Sequence, residues 1–471
     1  MPLDPSEPAP PRRIIMPGEP SPPAPAEPAA GGPGREVAPP PPPGSSRIVL
    51  PPGVARDEPE DLPEYPRLRP LEILAVREGD RDLLLVNDPL GVMPAPIALK
   101  MDALEMLRVL DGSFSLNDLA AEVVRASKDL RAGSYVKEFV AQLDRMLMLD
   151  SPRFHQAFQA LRDGYHRLEV RQAALGGVSY PDDPAQLATF LDGHFAEAEK
   201  LRAEAGEPVA AADALPRALL APHLDPRRAG ATIARAYLEL GVEQRGTLRV
   251  IVYGTGHSLL GESLALTRKR FETPFGAIPC DTAFVDRLAE KLGDAAWRGE
   301  LAHRDEHSIE FQAIYLKRRL GERPFMLVPI LCAGFHALMD AGRTARDDTA
   351  FETLIAVIRD AEKALGGPTL HVAAVDLSHV GRRFGDPEVD ERTLAEVGTR
   401  DRKALDAALR GDADGWYQAI ADEGDATRVC GWGATYALLR ATEPGAGRLL
   451  RYEQSREENG SMVSVAAAVW P

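Results

Sequence analysis

The stretch LRVIVYGTGHS at residues 248–258 joins an apolar run directly to a glycine-rich turn and a histidine. The run does not alternate apolar and polar side chains, which is typical of a strand buried on both faces of a sheet. Comparable runs occupy residues 218–221, 325–331, 370–375 and 462–469, and helical patterns occupy residues 227–240, 282–292, 308–320, 351–365, 392–409 and 434–441. This order predicts an α/β fold in which a central, mostly buried sheet is flanked by helices.

Histidines follow three of these predicted strands, at His223, His257 and His379. The carboxyl ends of strands in an open α/β sheet meet at one edge, where ligands bind. A single histidine at a strand end is usually structural. Three at one edge favour a metal site or an acid/base site, because neutral imidazole binds metals and titrates near neutral pH.

The two glycines before His257 do not complete a dinucleotide-binding pattern, and no Lys-Ser or Lys-Thr pair follows them. We expect Gly256 to let the backbone turn sharply, so that His257 points into a cleft. Cys430 precedes a predicted helix, and a helix amino terminus favours the thiolate that a soft metal needs. Cys280 and Cys332 are interpreted instead as buried, inert thiols.

The sequence DEHSIE at residues 305–310 opens a predicted helix. Acidic residues at a helix start are explained by the helix dipole, so Asp305 and Glu306 need no further role. His307 and Glu310 stand three apart on one helical face and are predicted to orient a ligand or to bind substrate. Asp376, three residues before His379, is predicted to orient an imidazole.

Composition divides the chain into four parts. Residues 1–62 hold 20 of the 41 prolines within their first 60 positions and are predicted to be a disordered tail. Residues 63–152 combine two strand patterns with three helical patterns, and Ser115 is a predicted N-cap three residues before Asp118. Residues 153–214 are predicted to be a helical connector, and residues 215–471 form the α/β domain.

The second part resembles the PqqD-like, winged-helix peptide-binding modules through LLLVNDPLG, ALEMLRVLDGSFSLNDLA and LDRMLML. It has no cluster of Arg and Lys at the start of one helix, so we expect a protein or peptide partner for this module and not DNA.

The formal net charge is -16, which disfavours a nucleic-acid partner. No apolar stretch is long enough to span a membrane, and the amino terminus lacks a secretion signal, so a cytoplasmic protein without a membrane contact is expected. Three cysteines are too few for a disulfide framework in 471 residues.

Six segments of the α/β domain are considered together: LLAPHLDPRRAGATIARAY, VIVYGTGHS, DEHSIEFQAIYL, FMLVPILCAGFH, AAVDLSHVGRRFGD and RVCGWGATYALL. In order and spacing they resemble the Memo-like proteins, whose bacterial members are labelled AmmeMemoRadiSam system protein B. The resemblance covers residues 215–471 and implies a fold similar to that of class III extradiol dioxygenases, which hold non-haem iron at strand ends.

The resemblance also implies metal ligation by His223, His257 and Cys430, with His379 nearby as an acid/base group or an additional ligand. Those dioxygenases use two histidines and a glutamate, so Cys430 makes this site softer and suits copper as well as iron. The first hypothesis is therefore a redox metalloprotein that binds iron or copper and acts on an unknown small molecule or peptide. The alternatives are a non-enzymatic peptide-binding adaptor and a ring-cleaving dioxygenase.

Overall fold

The computed structural model describes residues 62–78, 81–243, 246–259 and 261–471. The predicted proline-rich tail lies outside these residues except for its final position. The described chain divides after Leu161 into two compact units, a small unit of residues 62–161 and a large unit of residues 162–471.

Within its described residues, the small unit contains one three-stranded antiparallel sheet, in the order β1-β2-β3, three complete helices and the first part of a fourth. Its elements are β1 (Glu72–Glu78), β2 (Arg81–Asn87), β3 (Ile97–Lys100), α1 (Ala103–Arg108), α2 (Leu116–Ser127) and α3 (Ala132–Arg145). Strand β3 was not predicted, because it is only four residues long and follows a proline-rich turn. The predicted cap is confirmed: the Ser115 hydroxyl accepts the Asp118 N–H at 3.1 Å, and the Asp118 carboxylate accepts the Ser115 N–H at 3.2 Å.

The large unit alternates strands and helices along most of its length, and α4 contains the division between the two units. Its elements are α4 (Pro152–His166), β4 (Val170–Arg171), α5 (Pro184–Glu204), β5 (Ala218–Ala221), α6 (Pro226–Tyr237), β6 (Leu248–Thr255), β7 (Leu264–Leu266), β8 (Arg270–Phe271), α7 (Thr282–Leu292), α8 (Ala295–Arg298), α9 (His307–Leu320), β9 (Phe325–Cys332), α10 (His336–Asp340), α11 (Thr349–Leu365), β10 (Thr369–Ala374), β11 (His379–Gly381), α12 (Glu391–Leu409), α13 (Ala413–Ala421), α14 (Trp432–Thr442), β12 (Arg448–Arg456) and β13 (Ser461–Trp470).

The main sheet of the large unit is mixed and has eight strands, in the order β11-β13-β5-β10-β6-β9-β7, with β12 paired to β13. Strands β5, β10, β6 and β9 are parallel, whereas β7, β11, β12 and β13 pair antiparallel. Ala374 at the end of β10 lies opposite both Ala221 of β5 and Gly254 of β6. The carboxyl ends of these three strands are therefore level, and the loops that follow them share one edge.

Both faces of this sheet are covered, as the unalternated apolar runs predicted. All eight residues of β6 are buried. Ile251 and Tyr253 belong to a core shared with α7, α11 and α14, whereas Val250 and Val252 belong to a second core shared with α5, α6 and α9. The predicted α/β fold with a central sheet flanked by helices is confirmed.

Across the described parts of the chain, helices of membrane-spanning length and apolarity do not occur.

Candidate metal centre

His223 follows β5 by two residues and is completely buried. Its Nδ1 lies 2.8 Å from the carbonyl oxygen of Ala374. Because a carbonyl only accepts, Nδ1 carries the hydrogen and donates a hydrogen bond to that oxygen. The backbone N–H groups of His223 and Leu224 donate to Oδ1 of Asp376 at 2.9 and 3.0 Å. These contacts fix the ring and leave its Nε2 lone pair directed into the site.

His257 follows β6 and is held by Glu306. Its Nδ1 lies 3.1 Å from both carboxylate oxygens, and its backbone N–H donates to Oε2 at 3.1 Å. Nε2 of His257 is buried without a hydrogen-bond partner among the described residues. Gly256 is not among the glycines with positive φ, so the turn before His257 does not require the left-handed conformation. The absence of a side chain matters for packing instead, because an added Cβ would lie 2.3 Å from Cδ1 of Leu259.

Cys430 is the third residue of the group and lies in the loop just before α14. Its Sγ lies 3.3 Å from Nε2 of His223 and 3.6 Å from the carbonyl oxygen of Asp376. In the absence of a bound ion, burial opposes the thiolate that the start of α14 was expected to favour. Burial raises the pKa of the Cys430 thiol well above its usual value, and the Asp376 carboxylate adds to that effect.

The ligand atoms of His223, His257 and Cys430 lie within 4.8 Å of one another. Metal bonds of about 2.0–2.3 Å allow two donors of one ion to be separated by up to about 4.6 Å, so small side-chain adjustments would complete a site. Two imidazoles and a sulfur fit a borderline-to-soft metal ion. The three predicted ligands are thus brought together by the fold.

His379 and Asp376 approach the same sulfur, and these two with Cys430 form a second group whose ligand atoms lie within 4.8 Å of one another. Within the part of the chain that the structure describes, Nε2 of His379 and Oδ2 of Asp376 are buried and have no hydrogen-bond partner. Burial lowers the pKa of His379 to about 4, so its imidazole is neutral at physiological pH.

Asp376, predicted to orient an imidazole, lies against His223 and does not contact Nδ1 of His379. The Nδ1 of His379 lies 3.0 Å from the carbonyl oxygens of Leu377 and Arg428, which therefore set its orientation. Oδ1 of Asp376 is occupied by backbone N–H groups, and Oδ2 lies 3.7 Å from Nε2 of His223. Oδ2 of Asp376 and Sγ of Cys430 therefore both lie near Nε2 of His223.

Sequence reasoning assigned no role to Glu306, yet its side chain is central to the site. It is 5% exposed and caps α9 by accepting the Ser308 N–H at 2.9 Å. Burial alone would raise the pKa of Glu306, but the imidazoles of His257 and His307 hold it well below its usual value. The available signal was an acidic residue directly before a helix whose first residue is histidine.

His307 belongs to the site, whereas Glu310 does not contact the donor group. The His307 ring stacks on His257 with centroids 4.8 Å apart. Glu310 forms a buried ion pair with Arg171 and accepts the backbone N–H groups of Ala174 and Leu175 at 3.0 and 2.9 Å. Its carboxylate thus holds the segment before α5 against α9.

Comparison with protein families gives a match to the family model described as Memo-like protein, over residues 171–469. Curated relatives include a MEMO1 family protein of Aquifex aeolicus, 25% identical over 394 residues that cover 83% of this chain and 96% of the relative. Another, MEMO1 family protein TTHA0924 of Thermus thermophilus, is 30% identical over 288 residues that cover 61% of this chain and 78% of the relative. A MEMO1 family protein of Methanosarcina acetivorans is 28% identical over 301 residues that cover 63% of this chain and 97% of the relative.

The similarity to the Aquifex aeolicus protein is not confined to the large unit. A match to 83% of 471 residues is longer than the chain from residue 171 onward, so it extends into the residues that precede the Memo-like region.

Proposed function

The chain belongs to the Memo-like protein family, and we propose that it is a redox metalloprotein. In this proposal His223, His257 and Cys430 bind one iron or copper ion. The observation that carries the proposal is the convergence of these three donors to within 4.8 Å from segments that are far apart in sequence.

Three buried polar atoms of the site that have no hydrogen-bond partner anywhere in the described ranges support binding of a cation. Buried polar atoms are nearly always hydrogen-bonded, yet Nε2 of His257, Nε2 of His379 and Oδ2 of Asp376 all lack a partner in the described chain. Leaving such atoms unpaired is costly unless another group satisfies them. All three belong to residues of the two donor groups that share Cys430.

Iron or copper would supply one-electron exchange when bound, and the surrounding residues have separate tasks. Ala374 and Glu306 orient the two imidazole ligands through their Nδ1 atoms. His379 is assigned to accept a proton at Nε2, because it is neutral at physiological pH and that nitrogen is unpartnered in the described structure. The near-complete burial of His223, Asp376 and His379 excludes bulk water from that side.

Elemental analysis of the full chain, purified anaerobically without chelator, tests the proposal. About one iron or copper per chain is expected, with loss in His257→Ala and Cys430→Ala. Cys280→Ala is the matched control, because that thiol is buried and contacts the carbonyl oxygen of Thr267, outside the donor groups. A wild-type protein that contains no metal and takes up none from solution contradicts the proposal.

A ring-cleaving dioxygenase is the second candidate, and the position of Asp376 favours it. Two histidines and one carboxylate are the usual ligands of non-haem iron(II) in oxygenases, and Oδ2 of Asp376 lies 3.7 Å from Nε2 of His223. This candidate predicts oxygen consumption by the iron-loaded protein with catechols, lost in Asp376→Asn. Iron-loaded protein that consumes no oxygen above the rate of the Asp376→Asn variant excludes it.

A further inference from the structure

We propose that Glu306 is a positioning residue that fixes the tautomers of two imidazoles, His257 and His307, so that both carry their lone pair on Nε2. This inference rests on the proposed function, because it assigns how the ligand His257 and its neighbour are prepared for an ion. Glu306 would act through these rings without bonding to the ion itself.

The two rings stack on each other beside one carboxylate. They are nearly parallel, with an interplanar angle of 13° and centroids 4.8 Å apart. The Nδ1 of His257 lies 3.1 Å from both oxygens of Glu306, and the Nδ1 of His307 lies 3.3 Å from Oε1. Both rings thus turn Nδ1 toward the same carboxylate, His257 with hydrogen-bond geometry and His307 at ion-pair distance.

An ionised carboxylate accepts hydrogen bonds and donates none. The Nδ1 of His257 therefore carries the hydrogen that it donates to Glu306. The Nδ1 of His307 is at ion-pair distance from the same carboxylate, where a ring lone pair would face a negative charge, so the hydrogen is favoured on Nδ1 there too. In a neutral ring the lone pair then resides on Nε2. The carboxylate cannot rotate freely, because its oxygens also accept the backbone N–H groups of His257 and Ser308. Its 5% exposure limits competition from water for these positions.

The third ring shows why this choice of nitrogen matters. His223 stands nearly perpendicular to both stacked rings, with centroids 5.1 Å from each. Its own Nδ1 donates to the backbone carbonyl oxygen of Ala374, so its Nε2 is also the nitrogen with the lone pair. With Glu306 in place, all three imidazoles offer the same atom type, and His257 can bind an ion without first losing a hydrogen bond.

Nitrogen NMR of the metal-free full-length chain with ¹⁵N-labelled histidine tests the proposal, at a pH at which the ¹⁵N shifts show both rings to be neutral. The wild type is expected to show Nδ1–H for His257 and His307. In Glu306→Gln the side-chain amide offers one acceptor and one donor, so at least one ring should switch to Nε2–H. Glu310→Gln is the matched control, because the same change one turn along α9 touches neither ring.

Zn²⁺ titration supplies a second reading, since loss of such an orienting partner typically weakens metal affinity by about 10–100-fold. Glu306→Gln should show that loss, whereas Glu310→Gln should remain within a few-fold of the wild type. Nε2–H on either ring in the wild type, or unchanged tautomers in a folded Glu306→Gln, overturns the proposal. Because tautomers are read without metal, failure of the proposed function would leave that result standing.

Discussion

At the residue scale, the first turn of α14 depends on the absence of a side chain at Gly433. An added Cβ there would lie 1.9 Å from the carbonyl oxygen of Ala333. Gly431 is equally confined, because its Cβ would lie 2.4 Å from Cβ of Val375. Cys430 immediately precedes this closely packed segment. The close packing of Gly431 and Gly433 therefore fixes the backbone that positions the Cys430 sulfur.

Gly433→Ala should therefore displace the start of α14 and move Cys430 away from His223. Overpacking of this kind costs about 1–3 kcal/mol of folding free energy, and we expect a lower melting temperature together with reduced metal content. The matched control is Gly445→Ala, where an added Cβ meets nothing within 4 Å. A Gly433→Ala protein with wild-type melting temperature and metal content would contradict this account of the close approach.

Sequence patterns indicated the imidazoles and the sulfur because each lies next to a clear strand or helix signal. The carboxylates were harder to assign, since their role depends on which atoms the fold brings near them. Glu306 has the position of an ordinary helix cap and also performs that task, as its contact with the Ser308 N–H shows. Only the approach of the loop after β6 reveals that the same carboxylate orients His257.

At the element scale, the buried parallel strands were predicted well because continuous apolar runs have few alternatives in an α/β fold. The short or polar strands were not predicted. Strand β12 reads RLLRYEQSR and is mostly half-buried, so its pattern does not distinguish a strand from a loop. Strands β7 and β11 have three residues each, and their pairing with β9 and β13 comes from the fold, not from local sequence.

Glu362 joins helix α11 to strand β10 through polar contacts with His371 and Arg217. Its carboxylate lies 3.1 Å from Nε2 of His371 and 2.7 Å from the Arg217 guanidinium. Burial alone would raise the pKa of Glu362, but these hydrogen bonds hold it at about 2. Because this value lies below the usual 4.5, the stabilisation is fully present above pH 4.5 and is lost as pH falls toward 2.

Burial also lowers the pKa of His371 below 6.5, so protonation of that ring further destabilises the fold as pH decreases from 6.5. We expect Glu362→Gln to lower stability by about 2 kcal/mol at pH 7, with a smaller difference from the wild type near pH 3. Melting temperatures across this range measure the effect. Asp360→Asn, an exposed change on the same helix, should show no such convergence. A deficit that does not shrink at low pH would argue against this ion pair.

At the scale of the whole molecule, the apolar cores follow the division into two units. One cluster, which includes Val140 and Leu143, lies within residues 62–161, and the larger clusters lie within residues 162–471. All residues of the two donor groups that share Cys430 belong to the large unit. Under the proposed function, removal of the ion is therefore expected to lower the stability of the large unit only.

Calorimetry of the full chain should resolve two unfolding transitions, and chelation should lower the one that belongs to the large unit. Leu143→Ala identifies the other transition, because that side chain is fully buried in the core of the small unit. Such truncations typically cost about 2–5 kcal/mol. A single transition that both treatments shift equally would show that the units unfold together.

The distance along the chain between the donors has a consequence for biosynthesis. His223 and Cys430 are separated by 207 positions, and β13, the neighbour of β5 in the sheet, follows both. A nascent polypeptide exposes its imidazoles to the ribosome's surroundings long before the sulfur is translated. Under the proposed function, ion capture by the complete ligand set has to wait for synthesis beyond residue 430, so an unfinished chain would not hold a redox-active ion.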